Sequence, residues 1–323
     1  MDKINVAVIG VGNMGQHHAR VYSELPNVNL VAVCDMDLER SSKLAKSHDC
    51  LAYDDYEKML KENKIDIVSV VVPTFLHHKV ACAVLALGSN VFLEKPIAVS
   101  LKEGKEIIAT AKKNGKKLMI GHIERFNPAI QRLKELIEEG RIGNIISINI
   151  KRAGGLPPQI KNANVVIDLG IHDIDIANFL VSDFPTEVYG FKSKNLIDEQ
   201  EDSAVILLKY KNSSAFIEVN WVTPVKVRTL DITGTKAFAR VDYINQTIVL
   251  YENSYMHKPS RSYKDFDEFI AKFSATDEVK VGINKAEPLK CELESFVAAV
   301  ANDTIPLVTG EEGYKALEVC LKI

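Results

Sequence analysis

The sequence predicts an α/β domain with a doubly wound parallel sheet, followed by an α+β domain with an open, mainly antiparallel sheet. Strands alternate with helices over the first 122 residues, which is typical of a parallel sheet. From residue 187 onwards, strands follow one another without intervening helices. A length of 323 residues also exceeds the ~100–200 residues of one domain. We assign 1–122 to the first domain and 123–323 to the second, with the C-terminal helix as a candidate to pack back on the first.

The first domain opens with a short β-branched run at Ile4–Ile9, which suits a strand covered on both faces. Hydrophobic spacing then predicts a regular alternation. Its predicted elements are helix 16–25, strand 30–35, helices 37–47 and 54–63, strand 66–73, helix 75–87, strand 90–94, helix 100–114 and strand 117–120.

The second domain begins with a helical connection over 123–140, in which Asn127–Pro128 is the expected helix start. The further predicted elements are strand 145–152, a mostly helical stretch 168–180, strands 187–194, 203–210, 214–222, 226–233, 237–243 and 246–252, helix 287–301 and a last helix from 311. Residues 253–285 are polar and irregular, and no element is predicted there.

A Gly-x-Gly-x-x-Gly motif at Gly10, Gly12 and Gly15 follows the first strand and opens the first helix. Alone this motif is weak, but an acid, Asp35, ends the next strand at the spacing that dinucleotide-binding domains use. Gly10 permits the tight turn, Gly12 leaves room for a pyrophosphate, and Gly15 lets helix and strand pack closely. Because the Asp35 carboxylate would repel a 2′-phosphate, NAD is favoured over NADP. Arg40 could bind a 2′-phosphate, so NADP stays the alternative cofactor.

Two further clusters carry candidate chemistry. Glu94-Lys95-Pro96 follows a parallel strand at its carboxyl end, where such sheets bind ligands; the alternative is an exposed lysine before a turn. Asp168 and His172 are four residues apart, so on a helix the carboxylate can orient the imidazole as a general base. The alternatives are a helix cap with a core histidine, and, ranked last, a metal site, for which the ligands are too few.

Composition excludes several function classes. Lys and Arg number 40 and Asp and Glu 43, a formal net charge of −3, so a general nucleic-acid partner is not expected. Five cysteines without a Cys-x-x-Cys pair favour reduced thiols and a cytoplasmic location. No apolar run reaches the ~18 residues of a membrane span, and no signal-peptide pattern is found at the N-terminus.

Taken together, the motifs resemble the glucose–fructose oxidoreductase/inositol dehydrogenase (Gfo/Idh/MocA) family along nearly the whole chain. The residues that carry the resemblance are Gly10-x-Gly12-x-x-Gly15, Pro73-Thr74-x-x-His77, Glu94-Lys95-Pro96 and Asp168-x-Gly170-x-His172-x-x-Asp175. The resemblance implies a Rossmann domain, NAD(P)-dependent chemistry at a sugar or polyol carbon, and a C-terminal sheet that commonly builds dimers or tetramers. It places catalytic roles on Lys95, Asp168 and His172. The cofactor-binding residues expected from motif and resemblance are Gly10, Gly12, Asn13, Met14, Gly15, Asp35, Pro73, Thr74, His77, Glu94 and Lys95.

Other stretches resemble the branch that includes UDP-N-acetylglucosamine 3-dehydrogenases: 121–129, 165–168, and Asn220-Trp221-x-Thr223-Pro224-x-Lys226-x-Arg228. The implied reaction is oxidation at C3 of a UDP-N-acetylhexosamine, with His172 or Lys95 as the base. The diphosphate needs positive partners. The candidate substrate-binding residues are His122, Arg125, Asn127, Arg152, Lys161, Trp221, Lys226 and Arg228. Alternatives are a dehydrogenase for a free sugar or myo-inositol, and a non-catalytic NAD-binding regulator.

Overall fold

The computed structural model describes residues 3–155, 164–197, 199–252, 266 and 278–323. The chain divides into two compact units. The first comprises the chain up to Phe126 together with Glu287–Leu321, and the second comprises Asn127–Ala286 with Lys322–Ile323. The first unit thus continues slightly beyond the predicted boundary at residue 122. It also contains 287–321, which had been assigned with the second domain.

The elements of the first unit follow the predicted alternation. Its strands are β1 Ile4–Ile9, β2 Val28–Cys34, β3 Leu51–Tyr53, β4 Ile67–Val70, β5 Asn90–Glu94 and β6 Leu118–Gly121. Its first helices are α1 Asn13–Glu24, α2 Leu38–His48, α3 Tyr56–Glu62, α4 His77–Ala86 and α5 Leu101–Lys113. β3 was not predicted, because three residues are too few for a hydrophobic pattern. The strand was predicted to reach residue 73, but β4 ends at Val70, where the chain leaves the sheet.

The six strands form one parallel sheet in the order β3-β2-β1-β4-β5-β6. This order confirms the doubly wound parallel sheet. The chain runs outwards in one direction from β1 to β3 and then returns to the other side of β1 at β4. Sheets of this kind bind ligands beyond the carboxyl ends of their strands, at the place where the order reverses. That place lies between β1 and β4.

Two C-terminal helices, α8 Pro288–Ala301 and α9 Gly310–Cys320, complete the first unit; along the chain they follow α6 Pro128–Glu138 and α7 Ile171–Val181 of the second unit. Thr309 and Glu312 form a capping box that starts α9. Just before it, Thr309 forms an antiparallel bridge with Met119 of β6. The buried Arg125 guanidinium donates to Glu312 at 2.5 Å and to the Leu307 carbonyl at 3.3 Å. These contacts explain why the end of the chain belongs to the first unit.

The second unit contains two helices, α6 Pro128–Glu138 and α7 Ile171–Val181, and a larger sheet. Its strands are β7 Ile145–Ala153, β8 Glu187–Ser193, β9 Ser203–Lys209, β10 Ser214–Asn220, β11 Val227–Gly234, β12 Ala237–Asp242, β13 Thr247–Glu252 and β14 Glu278–Val281. Asn127 caps α6 through a hydrogen bond from the N–H of Ala129, which confirms the predicted helix start. Most of the stretch 253–285, for which no element was predicted, lies outside the described residues; its described end contains β14.

The eight strands are ordered β14-β13-β12-β11-β7-β10-β9-β8. Every neighbouring pair is antiparallel except β7 and β10, which run parallel at the centre. The expected open, mainly antiparallel sheet is therefore confirmed, with one parallel pair. α7 lies against β7 and β10, and α6 lies against β12 and β13. The side chains that alternate outwards remain accessible, among them Tyr189, Phe191, Leu207 and Phe216.

Within the described part of the chain, no helix is long and apolar enough to cross a membrane.

The ion pair between Arg125 and Glu312 predicts a stability difference between two adjacent glutamates. Glu312→Gln removes the carboxylate from a guanidinium that is only 2% exposed, and we expect the free energy of unfolding to fall by roughly 3 kcal/mol. Glu311→Gln is the control, because its partner Lys112 is exposed and such pairs contribute less than ~1 kcal/mol. Chemical denaturation of both variants tests this. Equal losses would contradict the structural role of Arg125.

Candidate active site

The turn between β1 and α1 is built by three glycines with different constraints. Gly10 has φ +87°, and a Cβ there would lie 2.5 Å from the Val71 carbonyl oxygen. A Cβ on Gly15 would collide with the carbonyl oxygen of Gly10. At Gly12, by contrast, a Cβ would meet nothing within 4 Å. The turn is therefore tight at two positions and open at the third, in the way a phosphate-binding loop requires.

The N-terminus of α1 has no side-chain cap at Gly12. Asn13 and Met14 of the first turn are exposed. Because the first N–H groups of a helix have no partner within the helix, this end offers donors and a partial positive charge to an anion. The geometry thus fits a pyrophosphate held by backbone rather than by basic side chains.

Asp35 follows β2, and its carboxylate is held by the backbone. Oδ2 accepts the N–H of Val11 at 2.9 Å, and Oδ1 accepts that of Asp37 at 3.1 Å. Arg40 approaches Oδ1 at 3.5 Å and also pairs with Asp37. The acid is therefore fixed beside the glycine turn, and the Arg40 guanidinium already lies between two carboxylates.

A cleft of about 650 Å³ lies along the carboxyl ends of the strands of the first unit. Asp35, Arg40 and Tyr56 line one end of it, and Glu94 and Lys95 line the other. Other predicted cofactor residues in the lining are Gly10, Gly12, Met14, Pro73, Thr74 and His77. Asn13 and Gly15 do not line it, although both belong to the turn that borders it. The cleft combines an open glycine turn with an acid at one end, as a dinucleotide site does.

His77 starts α4 and is 1% exposed. Its Nδ1 lies 2.8 Å from the Pro96 carbonyl oxygen and its Nε2 lies 2.9 Å from that of Val72. Burial lowers the pKa of His77, although both carbonyls act in the opposite direction. The imidazole therefore connects the loop after β4 with the Glu94-Lys95-Pro96 segment and positions backbone at that end of the cleft.

In the second unit, a π-helical turn at Val166–Gly170 leads directly into α7. Asp168 lies in this turn and His172 lies in the first turn of α7, and both side chains are partly accessible. Asn164 supports the start of the turn, since its side-chain oxygen accepts the N–H of Ile167 at 3.0 Å. The structure thus offers a carboxylate and an imidazole four residues apart on one short helical segment. Single π-helical turns within α-helices are frequent at functional sites.

Two arginines among the predicted substrate-binding residues are interior. Arg125 is paired with Glu312, as described above. Arg152 of β7 is 4% exposed and donates from Nε and from the guanidinium end to Asp173, at 2.7–2.9 Å. The Tyr243 ring lies 5.3 Å from the same guanidinium. Because both arginines are buried against carboxylates, their ion pairs contribute to the architecture of their units, and their expected contacts with a substrate phosphate stay a prediction.

The other expected substrate residues have different surroundings. Asn127 caps α6 and donates to the Tyr243 carbonyl oxygen at 3.0 Å, and His122 is 1% exposed. Lys226 is exposed, whereas Arg228 is half-buried and donates to the carbonyl oxygens of Ala153 and Val227.

Trp221 follows β10 and is 4% exposed, with an indole N–H that has no hydrogen-bond partner among the described residues. Lys161 lies outside the described residues. In the strand register Arg152 of β7 lies opposite Arg228 of β11, and Trp221 directly follows β10, so these three residues lie at the same end of three neighbouring strands.

One feature of the site was missed by the sequence analysis. His18 of α1 contacts Glu94 at 3.1 Å and Ser69 at 3.3 Å, and Tyr22 contacts Ser69 at 2.9 Å. His18 was not among the candidate site residues predicted from the sequence. A signal was present: His18 and Tyr22 are four residues apart on one helix face, and Ser69 interrupts an apolar strand.

Among the described residues, no group of three or more His, Cys, Asp or Glu side chains is arranged to hold a metal ion.

Comparison with known proteins assigns both parts of the chain. Residues 4–122 match the oxidoreductase family with an NAD-binding Rossmann fold, GFO_IDH_MocA, and residues 130–240 match the GFO/IDH/MocA C-terminal domain. UDP-N-acetylglucosamine 3-dehydrogenase of Acidithiobacillus ferrooxidans is 26% identical over 100% of this chain and 97% of its own length. Its solved structure superposes with a TM-score of 0.87.

Two further relatives resemble the chain over almost its full length. The myo-inositol 2-dehydrogenase of Thermotoga maritima is 26% identical over 97% of this chain and 93% of its own length. An Agrobacterium radiobacter oxidoreductase, solved in complex with NAD⁺, L-tartaric acid and magnesium, is 18% identical, covers 99% of this chain and 94% of its own, and has a TM-score of 0.85. The last likeness shows the fold alone.

The glycine turn predicts opposite effects for two similar substitutions. Gly12→Ala projects a methyl group into the open cleft, so we expect a near-unchanged melting temperature and an affinity for NAD at least ~10-fold weaker. Gly15→Ala forces the helix away from the Gly10 carbonyl, so we expect a loss of roughly 3 kcal/mol in unfolding free energy. Thermal melts and equilibrium NAD titrations measure both. A destabilised Gly12→Ala with normal NAD affinity would refute this assignment.

Proposed function

The chain belongs to the Gfo/Idh/MocA family of oxidoreductases, and on this basis we propose that it uses NAD to oxidise C3 of a UDP-N-acetylhexosamine. The observation that carries the cofactor half is the cleft with an open Gly12 at its turn and the fixed Asp35 carboxylate at one end. The full-length similarity to a UDP-N-acetylglucosamine 3-dehydrogenase supports the substrate.

Asp35 supports NAD over NADP. Its carboxylate would repel a 2′-phosphate, whereas it can accept ribose hydroxyl groups. Arg40, the group that would otherwise serve a 2′-phosphate, lies against Asp35 and Asp37. Gly12 and the N-terminus of α1 would hold the pyrophosphate, and the Glu94–Lys95 end of the cleft would take the nicotinamide, which supplies the hydride acceptor.

The acid–base work is assigned to three side chains. Asp168 orients His172 and stabilises its protonated form, so that the imidazole can take the proton from the sugar hydroxyl. Lys95 provides positive charge and a hydrogen bond to the oxygen as the proton leaves. A positioned base contributes ~10²–10⁴-fold in rate. Lys95 is the alternative base, because an amine at the same oxygen can take the same proton.

Lys226 and Arg228, with Trp221, are the described groups that we retain as candidates for the sugar nucleotide. Lys226 is exposed, and a Cβ on Gly154 would lie 3.9 Å from the Arg228 guanidinium. Two positive side chains therefore lie at this end of the strands, and Gly154 leaves space beside Arg228. The two charges suit a diphosphate. Lys161 stays a sequence-based candidate.

We also propose that the chain forms a homodimer or homotetramer through the open face of its large sheet. Tyr189, Leu207 and Phe216 are cross-strand neighbours on this face and are 57%, 47% and 38% exposed, and Phe191 beside them is 80% exposed. A contiguous apolar surface of this kind marks an interaction site. The five cysteines are free thiols, which supports the expected cytoplasmic location.

Two other functions are the alternatives to this proposal. Similarity to a myo-inositol 2-dehydrogenase favours a free polyol as substrate. The family fold is also compatible with a non-catalytic NAD-binding regulator, but a sensor has no need for Lys95, Asp168 and His172 together.

Product formation distinguishes these functions. We expect the purified protein to form NADH from NAD and UDP-N-acetylglucosamine, and to turn over NADP more slowly because of Asp35. Absorbance of the reduced nicotinamide, measured in parallel with myo-inositol and glucose, gives the comparison. Turnover of inositol alone would replace the substrate, and no turnover with any sugar or sugar nucleotide would remove the catalytic proposal.

Separate substitutions test the residue roles. Lys95→Ala and His172→Ala should each lower kcat at least ~100-fold, because each removes a group that acts on the reacting oxygen. NAD affinity of His172→Ala should stay within ~3-fold of the wild type. Lys102→Ala and His78→Ala are matched controls on exposed or partly exposed helix positions of the first unit. Steady-state kinetics decide: near-normal kcat in either active-site variant means that its assigned role is wrong.

A further inference from the structure

A buried polar chain crosses the first unit from α1 to the end of β5. Tyr22 contacts Ser69 at 2.9 Å, Ser69 contacts Nδ1 of His18 at 3.3 Å, and Nε2 of His18 contacts Oε1 of Glu94 at 3.1 Å. Tyr22, Ser69 and His18 are each 0% exposed. Burying a run of polar groups in a parallel sheet is energetically unfavourable unless each group has a hydrogen-bond partner. The hydrogen bonds of this chain end at the Glu94 carboxylate.

The direction of these hydrogen bonds follows from the endpoint. An ionised Glu94 can only accept, so His18 donates from Nε2. In a neutral imidazole Nδ1 then accepts, which makes the Ser69 hydroxyl its donor and the Tyr22 hydroxyl the donor to Ser69. Each proton has one acceptor. The chain therefore fixes the tautomer of His18 and directs one N–H at the carboxylate.

Glu94 is held as an anion by its surroundings. Burial alone would raise the pKa of Glu94, but the hydrogen bond from His18 and the positive charge of Lys95 act against it, and the pKa lies below its ordinary value. Oε2 also accepts the backbone N–H of Lys95 at 3.2 Å. Gly121 of β6 makes room for this carboxylate, since a Cβ there would lie 3.2 Å from both oxygens.

The Glu94 carboxylate is partly accessible from the cleft. The Glu94 side chain is 14% exposed and lines the cleft at the end opposite Asp35. In the strand order, β2 and β5 lie on opposite sides of the β1–β4 reversal. If Asp35 receives the adenosine ribose, Glu94 lies at the nicotinamide end.

We propose that Glu94, fixed by His18, gives the cofactor site a preference for oxidised over reduced nicotinamide. The oxidised ring carries a positive charge that the reduced ring lacks, and a nearby anion stabilises only the former. His18 is a positioning residue in this account. The inference rests on the proposed use of NAD, and it adds an electrostatic role that neither hydride transfer nor sugar binding requires.

The test compares affinities rather than turnover. NADH binding to the wild type and to Glu94→Gln is measured by fluorescence, and NAD⁺ binding by competition, at pH 8. We expect Glu94→Gln to shift the ratio of the NAD⁺ and NADH dissociation constants towards NADH by roughly tenfold, an effect of the size that one charge a few ångströms away produces. A purely structural role would weaken both ligands together and leave the ratio unchanged.

Asp54→Asn is the matched control. Asp54 also lines the cleft, but at the Asp35 end, so removing its charge should leave the ratio at the wild-type value. An equal shift in Asp54→Asn and Glu94→Gln would overturn the proposal, because the effect would then come from net charge alone.

Substitutions of His18 test the positioning step. A glutamine amide has a donor nitrogen and an acceptor oxygen at nearly the spacing of the imidazole nitrogens, and one of its two N–H groups can replace the donor to Glu94, so His18→Gln should keep the wild-type ratio. His18→Leu removes the donor to Glu94, so the ratio should shift in the same direction as in Glu94→Gln. A shift in His18→Gln as large as in His18→Leu would contradict the assigned hydrogen bonds.

Folding of each variant is checked by circular dichroism before titration. If Glu94→Gln does not fold, the double variant His18→Leu/Glu94→Met, which replaces both partners with apolar groups, gives the same predicted shift. A wild type that binds neither nucleotide would overturn the proposed function itself. A wild type that binds both, with a ratio insensitive to Glu94, would overturn only this inference.

Discussion

The close packing of α1 against β1 is the constraint on which the first unit depends. It is possible because Gly15 has no side chain to meet the Gly10 carbonyl, and Gly10 has none to meet Val71. The packing directs the N-terminus of α1 at the cleft. It also brings His18 from one face of that helix to Glu94 at the end of β5. One steric requirement therefore sets both the position of the α1 N-terminus beside the cleft and that of the Glu94 carboxylate at one end of it.

The net charge of the protein and the burial of its arginines constrain which groups can bind phosphates. A chain with a net charge of −3 has no general attraction for anions, so phosphates have to be bound by local groups. For the proposed cofactor these would be the backbone N–H groups at the α1 N-terminus. Where the structure is described, the two buried arginines form ion pairs within the protein, Arg125 with Glu312 and Arg152 with Asp173. Placing a guanidinium in the interior requires a paired acid, because an unpaired buried charge is strongly unfavourable.

Local patterns were enough to predict much of this architecture. The alternation of β1 to β6 with helices, the turn at Gly10–Gly15 and the Asn127 cap are all properties of neighbouring residues. The parallel pairing of β7 with β10 and the attachment of α9 to β6 depend on contacts distant in sequence, which hydrophobic periodicity does not contain. The carboxylate partners of Arg125 and Arg152 could not be predicted for the same reason, since they lie 187 and 21 residues away. His18, Ser69 and Glu94 could be linked only once α1, β4 and β5 were placed side by side.

The central claim is that hydride moves from one sugar carbon to NAD on this protein. It is tested most directly with UDP-N-acetylglucosamine deuterated at C3, followed by mass spectrometry of the nicotinamide cofactor after a single turnover. The account predicts that the deuterium is recovered on the reduced nicotinamide, with unlabelled substrate giving no mass increase. Reduced cofactor without deuterium would contradict C3 as the site of oxidation, and deuterium retained in the sugar with no reduced cofactor would contradict the reaction.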